Sequence, residues 1–259
     1  MNNSLKFLLT DVLDDATISA SSTTSGLPAS NAQDVLVRKV YRSTASTNEW
    51  LKFDVGAATT INCLMIANHN LTLGSVVKFQ GHASDSWASP SLDTNLTVAT
   101  DAQGNNVMKI AHFYATNQEY RWFRLYMEPG TGNASPVDIG RVMAGRYIEP
   151  KRNLRDGFTL TTIDPSRGKN TVGRQAYWTT RRQYEELTYA LTDVNEDQAD
   201  ELLGIYAEVG KHSPLVVALD PIDRTSHNTF YCQFMTDVSR QQRLLHQYGI
   251  QDIVFQEKN

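Results

Sequence analysis

Six histidines have the widest choice of chemistry in this chain, because an imidazole can bind a metal ion or transfer a proton near neutral pH. No HxH, HxxxH or HExxH pair occurs, so a metal site would have to be assembled from distant segments. Only His69, between Asn68 and Asn70, lies in a suggestive setting. Its alternative role is to hydrogen-bond to backbone where a strand ends. The six are His69, His82, His112, His212, His227 and His246. The sequence therefore predicts no metal ion.

The patterns that would indicate nucleophilic or acid–base catalysis do not occur in the sequence. There is no GxSxG, P-loop or GxGxxG motif. Asp14-Asp15 and Asp54 supply carboxylates, but a general acid/base pair needs a defined separation, and solvated or turn-capping carboxylates are the alternative. Cys63 and Cys232 lie far apart in apolar segments without a CxxC pair, and we expect buried free thiols. We therefore expect neither an enzyme nor a cofactor.

Length and composition narrow the function classes. The chain has 259 residues, of which 41% are hydrophobic and 20% charged, as is typical of a globular protein with two domains. A formal net charge of −4 gives no attraction to nucleic acid or anionic lipid. No segment approaches the roughly 20 apolar residues of a membrane span, and the apolar run Leu5–Leu9 is too short for a signal peptide. We expect no nucleic-acid partner, no membrane insertion, and a cytoplasmic protein unless it leaves within a particle.

Short strand-like segments separated by turn-rich loops characterise residues 17–147. The predicted strands are Trp50–Gly56, Asn62–Ala67, Val76–Gly81, Tyr120–Met127 and Asp138–Tyr147. The first alternates apolar and polar residues and stops at glycine, whereas the second is nearly continuously apolar. Strands at this spacing without a helical period favour an antiparallel sandwich, and we expect a jelly roll. A polar segment then marks the boundary between a first domain, 1–149, and a second, 150–259.

The second half of the chain combines strands with one helix. The predicted strands are Phe158–Ile163, Gln175–Leu191, Leu215–Leu219, Thr229–Val238 and Gln247–Gln256, with the last two paired. Neither face of the long strand Gln175–Leu191 is wholly apolar, so we expect it to meet a partner or solvent on at least one side. The order of elements predicts a small sandwich or split barrel with one helix packed across it.

The helix is predicted at residues 196–209. Asn195 is a good N-cap, Gln198 completes a capping box, and Gly210 is the expected residue just past the end. An apolar face follows from the three- and four-residue spacing of Ala199, Leu202, Leu203, Tyr206 and Val209.

Four short motifs follow one another in the first half. They are Gly26-Leu27-Pro28-Ala29-Ser30-Asn31-Ala32, Tyr41-Arg42-Ser43, Leu51-Lys52-Phe53-Asp54-Val55-Gly56 and Ala67-Asn68-His69-Asn70-Leu71. With these motifs, residues 17–147 resemble the discoidin-like (coagulation factor 5/8 C-type) jelly-roll modules found in structural proteins of tailed phages. The resemblance implies sugar binding by loop aromatics and polar groups at one end of the sandwich.

The same resemblance gives three candidate ligand-binding residues, Trp87, Arg42 and His69. Trp87 lies in the polar loop Ser84–Ser89, where an exposed ring could offer an apolar face to a sugar; alternatively it packs under its own loop. Arg42 could clamp a ligand or brace its loop by bonding backbone carbonyls. Calcium also occurs in such modules, but the chain has no DxDxDG string and calcium is not predicted.

The second half carries an ordered set of elements: the Arg181-Arg182-Gln183-Tyr184 strand, the capped helix, the Pro214–Pro221 strand and a closing hairpin. In this order it resembles the barrel shared by tail tube, distal tail and related minor tail proteins. That resemblance implies a ring, a hexamer in preference to a trimer, with tail tube, central hub and tape-measure proteins as partners. The predicted interface consists of Tyr177, Trp178, Arg181, Arg182 and Tyr184, with polar contacts from Lys151, Arg152, Arg155, Arg167, Lys169 and Arg174.

The whole sequence thus predicts a non-enzymatic structural protein of a phage tail tip or baseplate, assembled in the bacterial cytoplasm and located in the virion. Its second domain would join the tail tube to the central hub, and its jelly roll would project outward. The alternative is a carbohydrate-binding adhesin that contacts the host surface, and both functions could hold together. A hydrolase or lyase acting on cell-wall polymer is a third interpretation, for which the sequence offers no catalytic constellation.

Overall fold

The computed structural model describes residues 5–130, 136–150, 158–170, 176–219, 225–244 and 247–258. The strands are β1 (Lys6–Leu8), β2 (Thr17–Ala20), β3 (Tyr41–Arg42), β4 (Glu49–His69), β5 (Val76–His82), β6 (Leu92–Leu96), β7 (Lys109–Glu128), β8 (Asp138–Gly145), β9 (Tyr147–Ile148), β10 (Phe158–Ile163), β11 (Arg167–Asn170), β12 (Ala176–Thr179), β13 (Tyr184–Val194), β14 (Leu215–Ala218), β15 (Thr229–Phe234), β16 (Arg240–Leu244) and β17 (Gln247–Glu257). The helices are a 3-10 helix, Ala29–Gln33, and α1, Glu196–Val209. The predicted mainly β fold is therefore confirmed.

Contacts within the chain divide it into two compact units. The first consists of Met1–Glu149 together with Val216–Phe230, and the second consists of Pro150–Leu215 together with Tyr231–Asn259. The chain thus returns to the first unit after α1, which the sequence pattern did not indicate. Independent folding of residues 1–149 and 150–259 stays a prediction.

The first unit contains a seven-stranded antiparallel sheet in the order β3-β8-β4-β7-β5-β6, with β2 also paired to β4. Strands β4 and β7 pair along most of their length, with register shifts between Asp54 and Thr59 and between Ile61 and Cys63. Gly56 has a φ of +80°, which a residue with a side chain rarely adopts. The two strands therefore continue past this glycine instead of stopping there. The predicted strands Trp50–Gly56 and Asn62–Ala67 are corrected to one strand, because the shifts allow a bend without loss of pairing.

Both parts of β4 and β7 line one apolar core. Its members include Leu51, Phe53, Leu64, Ile66, Phe79, Ile110, Phe123, Leu125, Ile139 and Val142. Along β4 the core positions change from odd to even numbers across the register shifts. The early part of β4 therefore belongs to one layer, with β2, β7, β5 and β6, and the later part to the opposite layer, with β7, β8 and β3. The predicted β-sandwich of the first half is confirmed.

The returning segment is fastened to the first unit by backbone pairing and by side chains. Strand β1 pairs with β14 on one side and β9 on the other. The backbone N–H of Ala111 donates to the Ser226 hydroxyl at 3.2 Å, and a ring nitrogen of His227 lies 3.1 Å from the Thr100 carbonyl oxygen. The Lys109 ammonium lies 4.0 Å from the centroid of the Phe230 ring.

In the second unit, β10, β13, β17 and β15 pair in that order, and β16 also pairs with β17. The predicted pairing of Thr229–Val238 with Gln247–Gln256 is confirmed as β15 with β17. The predicted long strand Gln175–Leu191 is wrong. Strand β12 ends at Thr179, and β13 begins at Tyr184. The break has a topological reason, because β12 pairs with β11 in a separate two-stranded ribbon whereas β13 joins the main sheet.

Helix α1 begins as predicted, with a complete capping box formed by Asn195 and Gln198. Its buried residues are Ala199, Leu202, Ile205 and Val209. The prediction that Leu203 and Tyr206 are buried is wrong, because both are partly exposed and Ile205 takes the buried position between them. Tyr206 instead donates its hydroxyl to Asp237 at 2.7 Å, and its ring meets Phe234 edge-on at 5.2 Å.

Candidate functional site

One face of the first unit's sheet carries three cross-strand rows of aromatic, charged and amide side chains. The rows are Trp50, Tyr126 and Lys78; Lys52, Arg124 and Gln80; and Asp54, Trp122 and His82. These positions alternate along their strands with core residues such as Phe53 and Phe123. Successive side chains of a strand point to opposite faces, so the rows lie on the side away from the core. We call this surface the outer face.

The loop between β5 and β6, residues 83–91, is tied to the middle row of the outer face. The Lys52 ammonium donates to both carboxylate oxygens of Asp85, at 2.7 and 3.0 Å. The indole N–H of Trp87 donates to the same carboxylate. Asp85 therefore fixes Trp87 to a strand of the sheet through two charge-assisted hydrogen-bonding contacts.

Arg124 supplies the second attachment of the loop. Its guanidinium carbon lies 4.5 Å from the centroid of the Trp87 ring and 5.2 Å from that of Tyr126. Its Nε donates to Gln80 Oε1 at 2.7 Å, which orients the planar group. A guanidinium stacks on aromatic rings in this way with an attraction of about 0.5–1 kcal/mol or more. The arrangement brings two aromatic rings and one cation together on the outer face.

The charges of the outer face are balanced. The ion pairs are Lys52–Asp85 at 2.7 Å, Lys78–Asp93 at 3.2 Å and Arg121–Asp54 at 2.7 Å. A further cation, Arg124, and a further carboxylate, Glu128, which accepts from the Tyr126 hydroxyl at 2.6 Å, complete four charges of each sign. The face thus offers many hydrogen-bonding groups but no net charge.

The carboxylates of this face are held in their ionised form. The guanidinium of Arg121 lowers the pKa of Asp54 to about 2. The ammonium of Lys52 lowers the pKa of Asp85, and the Trp87 indole adds to the effect. Both groups are therefore hydrogen-bond acceptors near neutral pH, and neither carries a proton to donate.

The structure does not bring the three predicted ligand-binding residues together. Arg42 lies opposite Asp138 in the β3–β8 pair, and its Nε and Nη2 each donate to that carboxylate at 2.6 Å. His69 is the last residue of β4, lies opposite Ile139 and is only 2% exposed. Its burial lowers its pKa to about 4, against a weaker backbone hydrogen bond from Lys109.

Arg42 and His69 are thus engaged along β8, whereas Trp87 lies on the loop between β5 and β6 and is partly exposed. Arg42 braces the sheet through a carboxylate, and not through the backbone carbonyls of the alternative interpretation. A ligand role for these residues stays a prediction, and of the three only Trp87 belongs to the outer face.

Sequence reasoning missed the other members of the outer face. The alternation in Trp50–Gly56 and Tyr120–Met127 separates outward from inward positions, so Trp50, Lys52 and Arg124 were recognisable as surface residues. What the sequence did not contain is the register, which sets Lys52 opposite Arg124 and Arg124 opposite Gln80.

A cleft of about 300 Å³ forms a second concave feature of the first unit. It is lined by Asn95, Leu96, Thr97, Ala99, Ala111, His112, Thr225, Ser226 and His227. Ser226 and His227 fasten the returning segment, as described above, and burial lowers the pKa of His112. The polar groups of this cleft thus have a structural role.

The predicted interface residues lie at the ribbon of the second unit and beyond it. Tyr177 is 61% and Trp178 70% exposed, in β12. Arg181 and Arg182 are exposed between β12 and β13, and Tyr184, at the start of β13, is partly exposed. Arg167 and Lys169 lie in β11, whereas Lys151, Arg152, Arg155 and Arg174 lie outside the described residues. Their role in an interface stays a prediction.

Within the described ranges, no group of three or more His, Cys, Asp or Glu side chains is placed to hold a metal ion. His246 lies outside these ranges. No helix of the described part of the chain has the length and apolar character needed to cross a membrane.

No protein-family model matches the sequence, and no curated protein matches it. Solved structures similar to this chain include the lectin domain of lectinolysin complexed with Lewis B antigen, with 16% identity, a TM-score of 0.43 and coverage of 53% of this chain and 96% of that one. A family 32 carbohydrate-binding module from C. perfringens NanJ, in complex with galactose, has 14% identity, a TM-score of 0.41 and coverage of 54% and 98%. Chitosan-binding module 1 of a chitosanase/glucanase from Paenibacillus sp. IK-5 has 18% identity, a TM-score of 0.40 and coverage of 52% and 98%. With identities and TM-scores this low, the proposals below rest on this chain's own residues.

Proposed function

We propose that the protein is a non-catalytic binding protein whose first unit holds a neutral glycan on the outer face. The observation that carries this proposal is the stack of Arg124 on Trp87, with Tyr126 on the same guanidinium. It joins aromatic rings to hydrogen-bonding side chains on a rigid sheet. A sugar presents an apolar C–H surface and a rim of hydroxyl groups, and this combination of groups suits both.

Charge balance favours a neutral sugar over a polyanionic one. An acidic polymer would have to compete with Asp85 for Lys52 and with Asp54 for Arg121. A neutral sugar can accept hydrogen bonds from the same cations, or donate to the same carboxylates, without breaking an ion pair.

The titration of the carboxylates favours binding over glycoside hydrolysis. Hydrolysis needs one carboxyl group that stays protonated at the working pH beside one that is ionised. On the outer face, the pKa values of Asp54 and Asp85 are both lowered. Asp11, whose pKa is raised to about 7, has a side chain only 7% exposed and accepts hydrogen bonds from Leu13, Ala144 and Arg141.

The proposal is tested by incubating the full chain on an array of neutral and anionic glycans. We expect binding to a subset of neutral glycans, and loss of that binding in Trp87→Ala with an unchanged thermal unfolding curve. Arg121→Gln, on the same face but away from the Trp87 loop, serves as the control for general changes in surface charge. Equal binding of the wild type and Trp87→Ala, or binding to anionic glycans alone, would contradict the proposal.

A second function, self-association of the second unit, is favoured by a separate observation, the exposure of Tyr177 and Trp178 on an isolated ribbon. Exposed aromatic rings invite association unless a partner covers them. We propose that copies of the chain cover them in a ring at the tip of a phage tail, with the tail tube, central hub and tape-measure proteins as neighbours. Electron microscopy of the purified chain should then show rings, and a uniformly monomeric sample at all concentrations would contradict this.

A further inference from the structure

The ribbon of β11 and β12 presents two different faces to solvent. Lys169 lies opposite Tyr177, and Arg167 is two residues from Lys169, so these three side chains share one face. Gly168 lies opposite Trp178 on the other face, and these ribbon residues are exposed. We call the face with Arg167, Lys169 and Tyr177 the basic face. A two-stranded ribbon is marginally stable alone, so a cationic, aromatic face on it favours an acidic protein partner.

Helix α1 of the same unit offers a surface of opposite charge. Its acidic residues are Glu196, Asp197, Asp200, Glu201 and Glu208, and it contains no Lys or Arg. At 3.6 residues per turn, these five positions fall within about 140° of the helix circumference. We call this surface the acidic stripe. Arg240 donates to Asp200 at 2.6 Å, which leaves four further carboxylates for that one cation.

The middle of the acidic stripe has room for a ring. Gly204 and Ala207 lie between the acidic positions and are exposed. A Cβ placed on Gly204 would meet nothing within 4 Å, so the surface there is open. A flat aromatic side chain can therefore approach the helix between carboxylates.

We propose that the basic face of one copy docks on the acidic stripe of a second copy; this inference rests on the proposed self-association. The spacings agree, since two strand positions separated by two residues lie about 6.6 Å apart. Helix positions separated by four residues lie about 6 Å apart along the axis. Arg167 and Lys169 would each meet a carboxylate, and Tyr177 would lie over Gly204.

A second copy is the occupant because the chain itself carries both complementary surfaces. The contact joins two different surfaces, so each copy keeps one ribbon and one stripe for further neighbours. Such head-to-tail contacts produce a closed ring when the rotation closes and a filament when it does not.

The test is a charge-reversal exchange on the full chain, with oligomer size measured by light scattering across protein concentration at low salt. Arg167→Glu with Lys169→Glu reverses the basic face, and Asp197→Lys with Glu208→Lys reverses the acidic stripe. Each reversal should raise the midpoint concentration of association about tenfold or more, and mixing the two reversed proteins should restore assembly of mixed oligomers. Arg146→Glu with Lys258→Glu, exposed positions with the same change of net charge, should associate as the wild type does.

The outcomes separate the two claims. A wild-type chain that stays monomeric overturns self-association and this inference together. A wild type that associates while both reversed proteins associate equally well overturns only the docking of ribbon on helix. Weakened association in both reversed proteins without recovery on mixing also overturns it, because the two surfaces would then meet different partners.

Discussion

Arg124 lies with its guanidinium carbon 4.5 Å from the centroid of the Trp87 ring, which attaches a loop aromatic to the second row of a β-sheet. The same guanidinium bonds Gln80 and lies 5.2 Å from the centroid of the Tyr126 ring. A loop is ordinarily the most mobile part of a domain. Here two attachments, Arg124 and Asp85, prepare Trp87 for a ligand before one arrives, and binding then costs less conformational entropy.

Arg124→Lys should loosen the loop. Lysine keeps the charge but loses the planar group that stacks on two rings while it bonds Gln80. We expect faster amide hydrogen exchange within residues 83–91 and little change elsewhere. The matched control is Arg121→Lys, which changes a guanidinium that lies over Trp122 and pairs with Asp54. Equal exchange of the loop in both variants would show that the stack does not hold it.

Asp11 should make stability depend on pH. Burial first and the charge of Asp14 second raise its pKa to about 7, while Arg141 opposes them. A carboxyl with a raised pKa binds more protons when folded than when unfolded. Its contribution is therefore complete below about pH 4 and is lost as pH rises through about 7.

The measurement is chemical denaturation of the wild type and Asp11→Asn at about pH 5 and pH 8. Relative to the wild type, Asp11→Asn should gain about 1–3 kcal/mol in unfolding free energy between the two pH values. Asp14→Asn should weaken the wild-type dependence, because it removes one of the charges that raise the pKa. A constant difference between the wild type and Asp11→Asn would show that Asp11 titrates normally.

Two adjacent leucines of α1 should differ in their effect on stability. Leu202 is 4% exposed, whereas Leu203 is partly exposed. Truncation of a buried leucine costs about 2–5 kcal/mol. We therefore expect Leu202→Ala to lower the unfolding free energy by that amount and Leu203→Ala by less than about 2 kcal/mol, both measured by denaturant titration. The reverse order would place the other face of the helix against the sheet.

Cys63 and Cys232 should resist thiol reagents in the folded protein. Both are buried, and burial first and the charge of Asp11 second raise the pKa of the Cys63 thiol, so its reactive thiolate is disfavoured. Labelling with an aromatic disulfide reagent should be slow under native conditions and reach two thiols per chain in denaturant. Rapid modification of the native protein would indicate that the sheet around Cys63 opens.

The sequence was sufficient for local structure with a clear period or punctuation. The alternation in Trp50–Gly56 identified a strand, and Asn195, Gln198 and Gly210 identified both ends of α1, because these patterns depend on neighbouring residues alone. The spacing of Leu202, Leu203 and Tyr206 was less informative. It is compatible with more than one buried arc, and packing selected Ile205 instead.

The features that failed depend on contacts distant in sequence. The chain's return at Val216–Phe230 and the separation of β12 from β13 are set by which strands pair, and no local pattern encodes that choice. Arg42 read as a ligand clamp because its partner, Asp138, lies 96 residues away. The outer face required the register between β4, β7 and β5, so Trp87 was found as a loop aromatic but its partner Arg124 was not.

The central claim is tested most directly by calorimetric titration of a neutral oligosaccharide from the array into three proteins: the wild type, Trp87→Ala and Trp178→Ala. Trp178→Ala removes an equally large and more exposed ring from the second unit and serves as the matched control. We predict the same dissociation constant for the wild type and Trp178→Ala, and an increase of about tenfold or more for Trp87→Ala. An unchanged dissociation constant in Trp87→Ala would contradict glycan binding on the outer face.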